Sequence, residues 1–160
     1  MYLVSIRFAT KEDVPFILEM IQYLADYENA TNRVMITEGD LLRDGFSEFP
    51  LFKSIILEYE GKNAGMALFY NRYSTWRGKN LYLEDLFVLP EYRGKKIGLK
   101  AMKYLANYAI ETGCKRFEWQ VLDWNVPSIN FYKSFQTELD SEWINCRLED
   151  DALYLFAEKE

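Results

Sequence analysis

Hydrophobic and polar positions along the chain alternate in some stretches and recur every three to four residues in others, which separates strands from helices. Alternation of Val4, Ile6 and Phe8 predicts a first strand from Tyr2 to Phe8. From about Lys11, residues Val14, Ile17, Leu18, Ile21, Leu24 and Ala25 fall on one helical face, and Thr10 with Asp13 has the spacing of a capping box. This helix is expected to fray near Asn29. Thr37 with Asp40 opens a second, shorter helix that Gly45 ends. Leu51 to Tyr59 and Ala64 to Tyr73 read as paired strands around the turn Glu60-Gly61-Lys62-Asn63. Trp76 to Asn80 reads as a loop, and a strand follows from Leu81. A helix is predicted from Gly98 to about Thr112, stopped by Gly113, and then a strand from Arg116 to Leu122. Pro127 stands near the first position of a short helix, and Glu142 to Arg147 with Leu153 to Glu158 are expected to form a closing hairpin.

The order βααβββαβαββ describes a single α/β (α+β) domain over residues 1–160, with a mixed, mostly antiparallel sheet. No repeat, low-complexity tract or linker divides it. The Arg116 strand is reached through a helix, so it is expected to run parallel to the Leu81 strand. A crevice is expected where neighbouring strands change relation, at their C-terminal ends.

Composition narrows the function. Hydrophobic residues make up 49% of the chain, enough for a packed core, and aromatics reach 17%, which favours a sheet-containing fold. The net charge of −6 makes nucleic acid and anionic membranes poor partners and a cationic substrate the better electrostatic match. Histidine is absent, and Cys114 and Cys146 stand far apart, so neither a metal site nor a disulfide framework is expected. No apolar run approaches a membrane span and no signal peptide follows Met1, so a soluble cytoplasmic protein is expected.

Candidate chemistry concentrates in Leu81 to Gly98, LYLEDLFVLPEYRGKKIG. Glu84 and Asp85 interrupt an otherwise apolar strand, where a purely structural segment would not place two carboxylates. Strand alternation puts their side chains on opposite faces. Pro90 ends the strand, and Arg93, Gly94, Lys95, Lys96 and Gly98 lead into a helix whose first N–H groups suit an anion such as a pyrophosphate. Alone, such a loop reads more readily as a solvated basic turn with a helix-capping glycine.

Together with the downstream DWNVPSINFYK, this stretch resembles the GCN5-related N-acetyltransferases, closest to the diamine (spermidine/spermine) and thialysine N-acetyltransferase group. IRFATKEDV, DYENATNRV, TEGDLLRDGF and YSTWRGKNLYLED extend the likeness over nearly the full length. The resemblance implies a central sheet splayed at one strand pair with helices on both faces, a homodimer, and acetyl transfer from acetyl-CoA to a primary amine. It places the cofactor on Leu86, Phe87 and Val88, on Arg93, Gly94, Lys95, Lys96, Ile97, Gly98 and Leu99, and on Asn125, Ser128 and Tyr132. Amide N–H groups on the Leu86–Val88 strand would face the thioester oxygen. Lys96 departs from the family loop, which usually has Gly there. Glu84 matches the acid that relieves the amine of its proton, and Tyr132 the phenol that protonates the leaving thiolate. Tyr27, Glu28, Trp76, Glu84 and Asp85 match the substrate end, where carboxylates and an aromatic face suit a cation. Ser74 replaces an Asp that polyamine-specific members carry, so diamines, polyamines and lysine analogues all stay open. Acetylation of a protein N-terminus or lysine is the enzyme alternative, and a non-catalytic CoA-binding or interaction module is the alternative of another class.

Overall fold

A five-stranded sheet in sequential order carries the fold. Its strands are β1 (Val4–Phe8), β2 (Lys53–Tyr59), β3 (Lys62–Ser74), β4 (Gly78–Val88) and β5 (Arg116–Trp119). β1 to β4 pair antiparallel, and β5 runs parallel to β4. The computed structural model describes residues 3–158, so Tyr2, assigned to the first strand by its pattern, lies outside the described residues. One compact unit ends at Gln120 and a second begins at Val121.

In the first unit, helices cover both faces of the sheet. The helix α1 (Val14–Tyr27) packs Val14, Ile17 and Met20 against Ile56, Met66, Leu68 and Phe87, with Leu41 of α2 (Glu38–Gly45) in the same cluster. On the opposite face, α3 (Ile97–Glu111) sets Tyr108 edge-on against Phe69 and Phe8, at ring centroids 5.4 and 5.8 Å. Each fully buried apolar side chain in these layers stabilises the fold by about 1.5–3 kcal/mol. Gly65 has no freedom to vary, because a Cβ there would collide with the Phe87 carbonyl oxygen of the adjacent strand.

Local signals hold where they depend on neighbours in sequence. Both capping boxes form, Thr10 with Asp13 and Thr37 with Asp40. Glu60 and Gly61 both take positive φ (50° and 77°), which closes the β2–β3 hairpin with two residues. Gly113, at φ 77°, follows the end of α3.

Several boundaries differ from the pattern. The helix expected from Lys11 starts with a 3-10 turn, Lys11–Asp13, before α1. Asn80, expected in a loop, lies in β4, since the β3–β4 hairpin is closed within three residues and Gly78 already pairs with Ser74. β5 stops at Trp119 instead of Leu122. In the second unit, α4 (Val126–Lys133) carries Pro127 in its first turn as expected. The closing hairpin is not formed. Residues 142–147 have no regular structure, and Asp150–Ala157 form a helix, α5. The apolar run Leu153–Phe156 fits either period, and Asp150 and Asp151 favour a helix start.

Candidate active site

β5 accompanies β4 only from Asn80 to Leu83, where Leu83 pairs with Trp119, while β4 continues to Val88. From Glu84 onward, β4 keeps its β3 partners and, among the described residues, has no strand paired on its β5 side. Leu86, Phe87 and Val88 lie on this segment, opposite Ala67, Met66 and Gly65.

The register slips where the segment begins. Leu68 pairs with Asp85 and Phe69 with Leu83, so Glu84 is an extra residue, a bulge. This corrects the expectation that Glu84 and Asp85 point to opposite faces. Asp85 lies opposite Leu68, and Glu84 accepts a 2.7 Å hydrogen bond from the hydroxyl of Tyr70, two residues further along β3 on the same face. The bulge therefore turns both carboxylates toward the α1 side of the sheet.

Glu28, which ends α1, is near enough for its charge to help raise the Asp85 carboxyl. Among the described residues, none of the three carboxylates forms an ion pair. Burial, then the charges of Glu84 and Glu28, push the Asp85 carboxyl up to about 7. Burial alone raises that of Glu28. Burial and the bond to Glu84 raise the Tyr70 phenol. Three carboxylates with no cation of their own make a site that a ligand's ammonium would relieve.

Aromatic rings flank these acids. Tyr70 and Tyr82 lie with centroids 5.3 Å apart, and Tyr23 stacks on Phe87 at 6.2 Å. Tyr27 lies at the same end, with the Arg93 guanidinium 5.5 Å from its ring and 5.4 Å from that of Phe87. Trp76, by contrast, is 82% exposed in the β3–β4 hairpin. It lies beyond Ser74, six residues and roughly 20 Å along β3 from the partner of Asp85, so the first unit does not bring it to the acids.

Two exposed side chains of the basic loop are tied to backbone carbonyls. Arg93 donates through Nε to the Val88 carbonyl at 3.1 Å, and Lys95 donates to that of Glu91 at 3.0 Å while lying over Tyr59 and Tyr92. Gly94 (φ 77°) and Lys96 (φ 60°) both adopt left-handed backbone just before α3. Such a turn, followed by the unpaired first N–H groups of Ile97, Gly98 and Leu99, forms a concave array of donors that fits a pyrophosphate.

In the second unit, Asn125 caps α4 by accepting a hydrogen bond from the Ser128 amide at 3.3 Å. Tyr132, on α4, is half-buried among Phe131 and Phe135, with centroids at 5.3 and 6.0 Å. Sequence reasoning missed Tyr70, Arg72, Tyr82 and Glu118, which share the face of the acidic cluster. The alternation of Leu68, Tyr70 and Arg72 in β3 was the signal available for two of them.

An unpaired segment of β4, a left-handed turn leading into α3 and a cluster of acids within one unit fit an acyltransferase. Residues 18–136 match the acetyltransferase (GNAT) family, and the chain belongs to it. It is 40% identical over 159 residues to the thialysine N-epsilon-acetyltransferase of Mus musculus, covering 92% of this chain and 94% of that one. It is 41% identical over 137 residues to the spermidine/spermine N(1)-acetyltransferase-like protein 1 of Homo sapiens, covering 81% of this chain but 20% of that one. An integron cassette protein from the mobile metagenome of V. cholerae has the same fold, with a TM-score of 0.81 and 28% identity over 99% of this chain and all of that one. The α+β fold and membership among N-acetyltransferases follow. Among the described residues, no helix is long and apolar enough to cross a membrane.

Proposed function

We propose that the protein transfers the acetyl group of acetyl-CoA to a primary amine of a small cationic substrate, by direct attack with both substrates bound. Diamines, polyamines and lysine analogues are the candidate class, in keeping with the names of the relatives. The observation that carries this reading is the cation-free trio Glu28, Glu84 and Asp85 beside the open edge of β4.

Acetyl-CoA supplies an activated carbonyl when bound. The loop from Arg93 to Leu99 holds its pyrophosphate on backbone N–H groups, and the edge of Leu86–Val88 takes the pantetheine arm as an added strand. Amide N–H groups of that edge stabilise charge on the carbonyl oxygen. Asn125 and Ser128 contribute to cofactor binding from the second unit.

An alkylammonium resembles a Lys side chain, with a pKa of about 10.4, and must lose a proton before it attacks. Glu84, fixed by Tyr70, holds the cation. Asp85, raised to about 7, is a far better proton acceptor than an ordinary aspartate, and this reading moves the base from Glu84 to Asp85. Glu28 and Tyr27 close the substrate end. Tyr132 gives its phenolic proton to the departing sulfur. A homodimer belongs to the same reading, and the solution mass checks it.

The test is thiol release from acetyl-CoA with a panel of small amines and peptides. Turnover is expected with at least one small amine, and Tyr132→Phe should lose turnover while keeping CoA binding. A panel in which only peptides react, or none, overturns the reading.

A further inference from the structure

The end of β4 shows which of its polar groups face away from β3. The Leu89 amide donates to the Ala64 carbonyl at 2.9 Å, and a Cβ on Gly65 would collide with the Phe87 carbonyl oxygen, so Phe87 and Leu89 turn their backbone groups toward β3. Successive residues of an antiparallel ladder alternate in direction, which turns the N–H and C=O of Leu86 and Val88 to the opposite edge. Beyond Leu83 no strand pairs on that edge among the described residues. A ligand that adds there as a strand finds a donor and an acceptor on each of the two residues.

One of those acceptors is already taken. Arg93 Nε donates to the Val88 carbonyl at 3.1 Å, the distance of an ordinary ladder bond. The guanidinium carbon lies 5.5 Å from the Tyr27 ring centroid and 5.4 Å from that of Phe87, so two aromatic faces help to keep it there. Its charge, however, has no carboxylate. Arg72 and Arg116 share that of Glu118, at 3.1 and 2.9 Å, and Arg7 and Arg43 are paired with aspartates, but among the described residues Arg93 forms no ion pair. Arg93 also directly precedes Gly94, where the left-handed turn into α3 begins. An anion seated on that turn lies beside the arginine in the chain. A diphosphate offers a guanidinium paired oxygens and full negative charge, which a carbonyl and two rings do not.

We propose that Arg93 selects the acyl donor: it holds the Val88 carbonyl against a thioester that carries only a pantetheine arm, and yields it to one that also brings a diphosphate. The proposal rests on the acetyl-CoA reading above and adds to it a discrimination among donors. An arm without diphosphate must displace the guanidinium and has nothing to give it in exchange. When a diphosphate is present, Arg93 exchanges the carbonyl for the anion, and the carbonyl becomes available to an amide N–H of the arm. No covalent bond changes in this step. Selection then comes from an obstacle to the wrong donor as well as from attraction to the right one.

The test titrates the full-length protein, with no amine present, using three probes: CoA, pantetheine and inorganic pyrophosphate. Binding is read from shifts of the backbone amide signals by NMR. Saturating pyrophosphate should tighten pantetheine binding to the wild type at least about fivefold, because it draws Arg93 off the carbonyl. Arg93→Met, at an exposed position, should bind pantetheine at least about fivefold more tightly than the wild type does without pyrophosphate, and should lose the pyrophosphate effect. The ratio of CoA to pantetheine affinity should narrow accordingly. An arginine that only attracts phosphate leaves pantetheine binding unmoved by the substitution. Pantetheine that binds both proteins alike or neither, or pyrophosphate that leaves pantetheine binding to the wild type unchanged or weaker, overturns the selection by Arg93 and leaves the CoA reading standing. A wild type that binds no CoA overturns both.

Discussion

Asp13 and Asp85 are two aspartates of one structural unit with opposite electrostatics. Asp13 closes the first turn before α1, where Arg7 donates to both of its oxygens at 2.7 and 2.8 Å and the Thr10 amide adds a third bond. The same arginine reaches Glu58 at 2.8 Å and so ties β1, β2 and the helix start together. Bonded first by Arg7, Asp13 is held down at about 2. Among the described residues Asp85 has neither arginine nor amide, and burial with two neighbouring acids lifts it to about 7. One acid is fully compensated and serves the fold. The other is left uncompensated, and its partner has to come from solution.

The largest effect that would break this comparison is on catalysis. Asp85→Asn removes the proposed base and should reduce kcat by about 10²–10³-fold. In the wild type, kcat/KM should rise as pH increases through about 7, as Asp85 loses its proton. The variant should lose that rise. A variant with full activity and an unchanged pH profile would return the role to Glu84.

Next in size is the loss of compensation at Asp13. Arg7→Met leaves Asp13, a buried residue, and Glu58 without their cation, and should destabilise the protein by about 2–3 kcal/mol, read from urea denaturation. Turnover per folded molecule should hold. The pH dependence should change as well. Because the folded Asp13 lies below the unfolded value of 3.8, its contribution is complete above about 4 and is lost as pH falls toward 2. Arg7→Met should flatten that acid limb.

Asp85 has the reverse sign. Its folded value lies above the unfolded 3.8, so the folded state holds a proton that the unfolded state releases, and stability falls as pH rises from about 4 to about 7. Asp85→Asn should remove this loss and stabilise the protein above pH 7 by about 1–2 kcal/mol, after allowance for solvent screening of a half-buried group. The variant that loses activity is thus expected to melt at a higher temperature. Equal melting temperatures at pH 8 would mean that Asp85 is not strained by burial.

Legibility in the sequence followed the same division. Thr10 with Asp13 and Thr37 with Asp40 could be read because a capping box lies within four residues. The carboxylates of β4 could be noticed as misplaced, but not oriented, because the bulge at Glu84 exists only in its register with Leu68 and Phe69. The arrangement of Arg72, Glu118 and Arg116 joins strands more than forty residues apart, and no local period announces it. The end of the chain failed for another reason. Leu153 to Phe156 is too short and too uniformly apolar for its period to decide between strand and helix. Glu28 breaks a local rule that could have been used, since an acid at a helix C-terminus opposes the dipole, and such a breach marks function more often than fold.

The smallest expected effect concerns a second local breach, in the basic loop. Lys96 caps α3 in the left-handed region at φ 60°, ψ 18°, where a side chain costs about 1 kcal/mol and glycine nothing steric. Lys96→Gly should relieve that strain, and the extra freedom of glycine in the unfolded chain, about 0.4–1 kcal/mol, should offset much of the gain, leaving no more than about 0.6 kcal/mol by urea denaturation. The same variant asks what holds the pyrophosphate. If backbone N–H groups carry the binding, Lys96→Gly should weaken CoA by no more than about threefold, since an exposed charge in water contributes little. A loss beyond about tenfold that shrinks with added salt would place the anion on the Lys96 ammonium instead. The lysine would then be a charge kept at the expense of backbone strain, as Asp85 is a charge kept at the expense of burial.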